Sequence, residues 1–177
     1  MTTVSGQDLI NLAALTSAVI AALTSSFLAW QAIRVNQNMN HMPVVLEVLK
    51  PHRTPDFVRK ETLLWKELSD HPAELGFFGL PEPIMSHAIE VGTYYQVLSY
   101  TSLYGIADGE FIAVQTHYRL LRTWEALREH VEGERVLRGG HNTFLNSYEE
   151  FAGLVATMDI DAATRRLVRR SGKLRLR

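Results

Sequence analysis

LINLAALTSAVIAALTSSFLAW, residues 9–30, decides how the rest of this chain is read. No Asp, Glu, Lys or Arg occurs between Asp8 and Arg34. About 20 helical residues cover the ~30 Å hydrocarbon core of a bilayer, so the stretch is long enough to span. Trp30 stands where an interfacial aromatic belongs, and Arg34 can reach headgroups one turn later. A secretory leader needs a basic n-region, and MTTVSGQD holds no Lys or Arg. A buried helix of a soluble domain is the competing reading, since Asn11, Thr16, Ser17, Thr24, Ser25 and Ser26 dilute the apolarity. The expectation is a transmembrane helix over 9–33, after a short tail at 1–8.

That helix is two-sided in sequence. Ala13, Ser17, Ala21, Ser25 and Ala29 form one i,i+4 row, and Ala14, Ala18, Ala22 and Ser26 lie beside it. Bulky Leu15, Val19, Leu23 and Phe27 occupy another side. Small residues let helix backbones approach closely in lipid, which predicts a packing face for homo-oligomerisation. The basic flank places the larger part inside: Arg34, Lys50, Arg53, Arg59 and Lys60 all follow the stretch. The location expected is a bacterial inner membrane, with the N-terminus outside and the remainder cytoplasmic.

The 177 residues contain no Cys, which excludes thiol nucleophiles, CxxC pairs and thiolate-bound zinc. Net charge is −1, yet residues 1–164 carry 11 Lys and Arg against 19 Asp and Glu. The balance sits in the tail: Arg165, Arg166, Arg169, Arg170, Lys173, Arg175 and Arg177. Each such charge near an anionic leaflet contributes about 1 kcal/mol, so the tail is assigned to anionic lipid first, a solvated tail second and nucleic acid third.

Residues 34–53 read as a juxtamembrane helix or linker interrupted at Pro43, and 54–160 as a helical domain. Thr54–Pro55 is an N-cap with proline at the first helical position, opening a helix with Phe57, Leu64, Trp65 and Leu68 inward. After the Pro/Gly-rich connection HPAELGFFGLPEP, a second helix recurs on Ile84, Ala88, Val91, Tyr95 and Leu98. Asp108 starts a third, whose stripe runs Phe111, Val114, Tyr118, Leu121, Trp124, Leu127 and Val131; Gly139–Gly140 ends it. A fourth turns Leu145, Tyr148, Phe151 and Val155 inward. Asp161 is expected to cap a short basic helix that leads into the tail, the two together covering 161–177. No strand pattern appears, so the fold expected is all-α: one N-terminal transmembrane helix and a cytosolic antiparallel bundle, with Tyr95, Tyr118, Leu121, Trp124, Tyr148 and Phe151 as its helical core.

From about Ile84 to Val155, SYTSLYGIADGEF, TWEAL with a downstream Arg, and SYEEFAGL carry a resemblance. The region resembles an uncharacterised family of small bacterial membrane proteins with one N-terminal transmembrane helix and a cytosolic all-helical domain of unknown function. The resemblance implies that layout and no activity.

Catalytic signals are missing. There is no GxSxG, no GxxxxGK[ST] and no GxGxxG. His87 with Glu90 is the nearest approach to a metal pair, and it lacks the convergent spacing of HExxH. Glu125, Glu129 and Glu132 lie one turn from Arg122 and Arg128, as on a solvated face. No catalytic residue, metal or cofactor is assigned. Phe77 and Phe78, between glycines, either fold over the helical core, the reading their loop favours, or mark a partner or interface loop. The function expected is a non-enzymatic scaffold or regulator that binds an unknown protein partner or itself. A membrane-perturbing effector of a stress or phage response, and a ligand sensor or enzyme with an inter-helix pocket near Tyr94, Tyr95, Tyr118 and Trp124, are the alternatives.

Overall fold

The computed structural model describes the backbone of residues 6–140 and 143–172, and the side chains of 15–31, 43, 45–140 and 143–170. Every regular element among them is helical: α1 (Gly6–Leu49), α2 (Pro55–Glu67), α3 (Ile84–Leu103), α4 (Gly109–Leu137), α5 (Asn146–Ala156) and α6 (Ile160–Gly172), with short 3-10 turns at Pro51–Arg53, Leu68–Asp70 and Ala73–Leu75. The chain divides into two compact units, Met1–His41 and Met42–Arg177.

In the first unit, every described side chain from Leu15 to Gln31 is exposed. Among the described residues no helix is long and apolar enough to cross a membrane; the side chains described in this part of α1 span only 15–31, fewer than the charge-free window 9–33.

The second unit holds the core. Its boundary differs from the sequence reading, because Val45 and Leu49 at the end of α1 are buried with it. No interruption occurs at Pro43, which lies inside α1 on an exposed position; a proline removes one backbone donor and does not by itself end a helix.

The caps are those the residues dictate. Thr54 Oγ1 accepts from Phe57 N at 3.3 Å, with Pro55 at the first position of α2. Asp108 Oδ1 accepts from Phe111 N at 3.1 Å to open α4. Gly139 and Gly140, both at positive φ, close it. The cap of α6 is Asp159, which accepts from Ala162 N at 2.8 Å, and not Asp161. The difference is a register shift of two residues.

On α3 the buried residues include Ile84, Ala88, Val91, Tyr95 and Leu98, and on α5 they include Tyr148, Phe151 and Val155, as the 3.6-residue period requires. Tyr95 and Tyr148 stack across the two helices with centroids 4.9 Å apart, and Trp124 meets Tyr148 edge-on at 5.0 Å. The Tyr148 hydroxyl donates to Leu120 O at 2.8 Å, satisfying a phenol that is wholly buried. Tyr118 does not belong to this core: it is 66% exposed, while Leu121 and Trp124 are partly buried against it. Of the expected α4 stripe Leu127 and Val131 are buried; the rest of the inner face is rotated from it and carries Ile112, Ala113, Thr116, Leu120, Thr123, His130, Glu134 and Arg135. Five of the ten buried residues are polar, which is why an apolar count selects the neighbouring face.

Candidate functional site

The most concentrated polar chemistry lies inside the second unit. Glu61 is on α2 between Phe57 and Leu64, on the helix's apolar face, and is fully buried. A carboxylate there must be matched by donors. Tyr95 of α3 donates its hydroxyl to Glu61 Oε1 at 2.5 Å. Arg119 of α4 donates from Nε to Oε2 at 2.7 Å and from a terminal nitrogen to the same oxygen. Thr123 donates to Oε1 at 3.4 Å, and its hydroxyl accepts from Trp65 Nε1 at 3.0 Å. Burial pushes the Glu61 carboxyl above the ordinary carboxylate range, while Tyr95 and Arg119 pull the other way.

Arg119 also ties in the segment before α2. Its other terminal nitrogen donates to His52 O at 2.6 Å and approaches His52 Nδ1 at 3.3 Å. A guanidinium only donates, so Nδ1 accepts and the ring proton belongs on Nε2. Burial, with Arg119 and Arg53 nearby, lowers the His52 pKa to about 4 from 6.5. The unfolded chain therefore binds the proton first as pH falls. His52's contribution is present above pH 6.5 and is lost as pH falls from 6.5 to about 4. Urea midpoints should fall across that window at constant m-value, and His52→Gln should flatten the slope; an unchanged slope would remove His52 from the account.

This centre unites α2, α3 and α4. Both Glu61 oxygens are occupied, and Glu61 does not line the cavities bounded by Tyr94, by Tyr118, by Val136 or by Val58. A general acid or base needs access to a reacting atom; this carboxylate faces its own chain. We read it as a structural ion pair.

A second polar centre fastens the Pro/Gly-rich connection. Glu134 of α4 accepts from Phe77 N at 2.9 Å and from Arg138 Nε at 2.7 Å. Burial works to raise this carboxyl, but Arg138 and the amides outweigh it and hold it below its ordinary value. Gly133 lies so close to Ala73 O that a Cβ would stand 2.0 Å away. Phe77 is therefore a core residue, edge-on to Phe144 at 5.1 Å, while Phe78 stays exposed with Arg138 over its ring. Only Phe78 of the pair offers a surface.

The chain matches no protein-family model, no curated protein and no solved structure.

Of the small-residue rows, Ser17, Ala18, Ala21, Ala22, Ser25, Ser26 and Ala29 are exposed, as is Trp30; the side chains of Ala13, Ala14 and Arg34 lie outside the described residues. Leu15, Val19, Ile20, Leu23, Phe27 and Leu28 are exposed too. In the basic segment, Arg166 pairs with Glu110 at 2.5 Å, and Arg170 reaches Asp108 and Glu110 at 3.6 and 3.3 Å. These cations meet the acidic first turn of α4, where carboxylates favour the helix dipole. Arg165 and Arg169 are exposed, and Lys173, Arg175 and Arg177 lie outside the described residues.

Tyr94, Tyr95, Tyr118 and Trp124 do not share one of the cavities seen among the described residues. Tyr94 lines a cavity of about 390 Å³ with Val48, Phe57 and Val97; Tyr118 lines another of about 520 Å³ with Trp65, Leu121 and Arg122. Tyr95 and Trp124 pack on Tyr148 instead. Glu90 pairs with Lys60 at 2.7 Å, and no group of three metal-binding side chains occurs among the described residues. Glu61, Arg119 and Glu134 escaped the sequence reading. The available signal was a charged residue on an apolar period: 57, 61, 64, 68 on α2.

Proposed function

We propose that the chain is a non-enzymatic, single-pass protein of a bacterial inner membrane, anchored through residues 9–33 with its N-terminus outside, and that its helical unit works in the cytoplasm by binding a protein partner or a second copy. The observation that carries this reading is the run of exposed side chains 15–31, without a charge and with Leu15, Val19, Ile20, Leu23, Phe27 and Leu28 among them. A helix that is apolar on most sides and uncovered calls for lipid or protein around it. The basic flank after the run supports the orientation. The buried Glu61 centre and the connection fastened by Glu134 support a unit built to present surfaces.

Alkaline carbonate extraction tests the anchor: the chain should remain in the membrane pellet, and release into the supernatant would overturn it. Leu23→Arg places a charge near the middle of the stretch, adding about 3 kcal/mol to the insertion free energy. The pelleted fraction should then fall severalfold. An equal pellet for both chains would show that apolar insertion is not what holds the protein.

A further inference from the structure

An apolar groove of about 540 Å³ lies between the 3-10 turn at Ala73–Leu75 and the last turns of α4. Its apolar lining is Ala73, Val136 and Leu137, the last two 74% and 63% exposed. Glu74, Glu129 and Glu132 border it, and none of the ion pairs among the described residues engages them. The neighbouring arginines are committed elsewhere: Arg128 to Glu125 and Arg138 to Glu134. The wall opposite α4 is fixed by the Gly133–Ala73 approach and by Glu134 on Phe77 N. The groove thus asks for a basic segment with interleaved apolar side chains.

The chain supplies one. Residues 165–177, RRLVRRSGKLRLR, alternate Arg and Lys with Leu167, Val168, Leu174 and Leu176. Arg166 and Arg170 dock α6 at the first turn of α4, leaving Arg165 and Arg169 outside the ion pairs described. The groove is at the other end of the same helix. Glu110 and Glu129 are about 28 Å apart at 1.5 Å per residue, whereas residues 173–177 extend at most roughly 18 Å. Five residues cover less than that separation, which favours the groove of a second copy.

We propose that the acid-bordered groove of one copy receives the basic C-terminal segment of a second copy. This rests on the self-association reading above and is independent of the bilayer. Two copies with α4 antiparallel bring each segment to the other's groove, giving a closed, two-fold arrangement. The charges set the register of the contact, and Leu174 and Leu176 meet Val136 and Leu137.

Because the chain has no Cys, the contact can be mapped on the full-length protein in non-ionic detergent. Glu132→Cys and Leu174→Cys chains, mixed and mildly oxidised, should yield a covalent mixed dimer about tenfold above a Val97→Cys and Leu174→Cys control pair. Adding Glu74→Lys and Glu129→Lys to the groove chain should lower that yield about tenfold. A yield equal to the control, or one insensitive to charge reversal, overturns the proposal. So does a dimer held by α1 alone without the 132–174 link, which would leave self-association standing. If no mixed dimer forms and phosphatidylglycerol in the micelle instead shields the 174 thiol from a water-soluble maleimide, the segment is a lipid ligand and the proposal falls.

Discussion

Arg119→Ala should lower the stability of the helical unit by about 3–5 kcal/mol, the largest effect expected of any single truncation here. The change removes both donors to Glu61 Oε2 and the donor to His52 O. What remains is a fully buried carboxylate holding only Tyr95 and Thr123. Most of the loss is the desolvated charge left behind, not the attraction forfeited. Two companions separate these contributions. Glu61→Gln keeps the shape and leaves the partly exposed Arg119 its bond to His52, so it should cost less than half as much. Arg119→Met with Glu61→Leu removes both charges and should recover most of the single-variant loss. Urea unfolding followed by near-ultraviolet circular dichroism measures all three. An Arg119→Ala loss below ~1 kcal/mol would mean that solvent reaches Glu61 readily.

The second large effect is Gly133→Ala. Alanine is ordinarily the better helix former by about 1 kcal/mol, so propensity alone predicts a gain. The new Cβ would stand 2.0 Å from Ala73 O and 3.0 Å from Ala73 C, a backbone neighbour that cannot rotate away. Either the 73–78 segment lifts or α4 shifts, and in both cases the Phe77 N–H loses Glu134. The expected outcome is a net loss of about 3 kcal/mol, at the upper end of overpacking effects. Gly153→Ala on α5 is the control, since its Cβ meets nothing within 4 Å; it should stabilise by up to ~1 kcal/mol. Similar signs for the two substitutions would show that the close approach at Gly133 is not a constraint.

The contrast between these positions explains what could be read in advance. Elements whose inner faces are apolar were legible: α3 through Ile84, Ala88, Val91, Tyr95 and Leu98, and α5 through Tyr148, Phe151 and Val155. Caps were legible where one side chain and one amide decide them, as at Thr54 and Asp108. The phase of α4 was not, because Thr116, Thr123, His130 and Glu134 face inward, and Thr123 and Glu134 find partners on Glu61, Trp65 and Phe77, far along the chain. Arg119 and Glu61 are 58 positions apart, and no local period announces that match. At the connection both amides of the Phe77–Phe78 pair face Glu134, yet Phe77 is buried edge-on to Phe144 while Phe78 is exposed beneath Arg138. The polar centres depend on which helices become neighbours, and the apolar stripes alone do not specify that.

The bond from Trp65 Nε1 to Thr123, one step from Glu61, turns an energetic feature into an optical one. Of the three tryptophans, Trp30 lies in the exposed run and Trp124 packs on Tyr148, so each indole reports a different surrounding. With Trp30 and Trp124 replaced by Phe, the emission of Trp65 would follow the state of the buried ion pair in real time, giving the chain a built-in fluorophore for its own core.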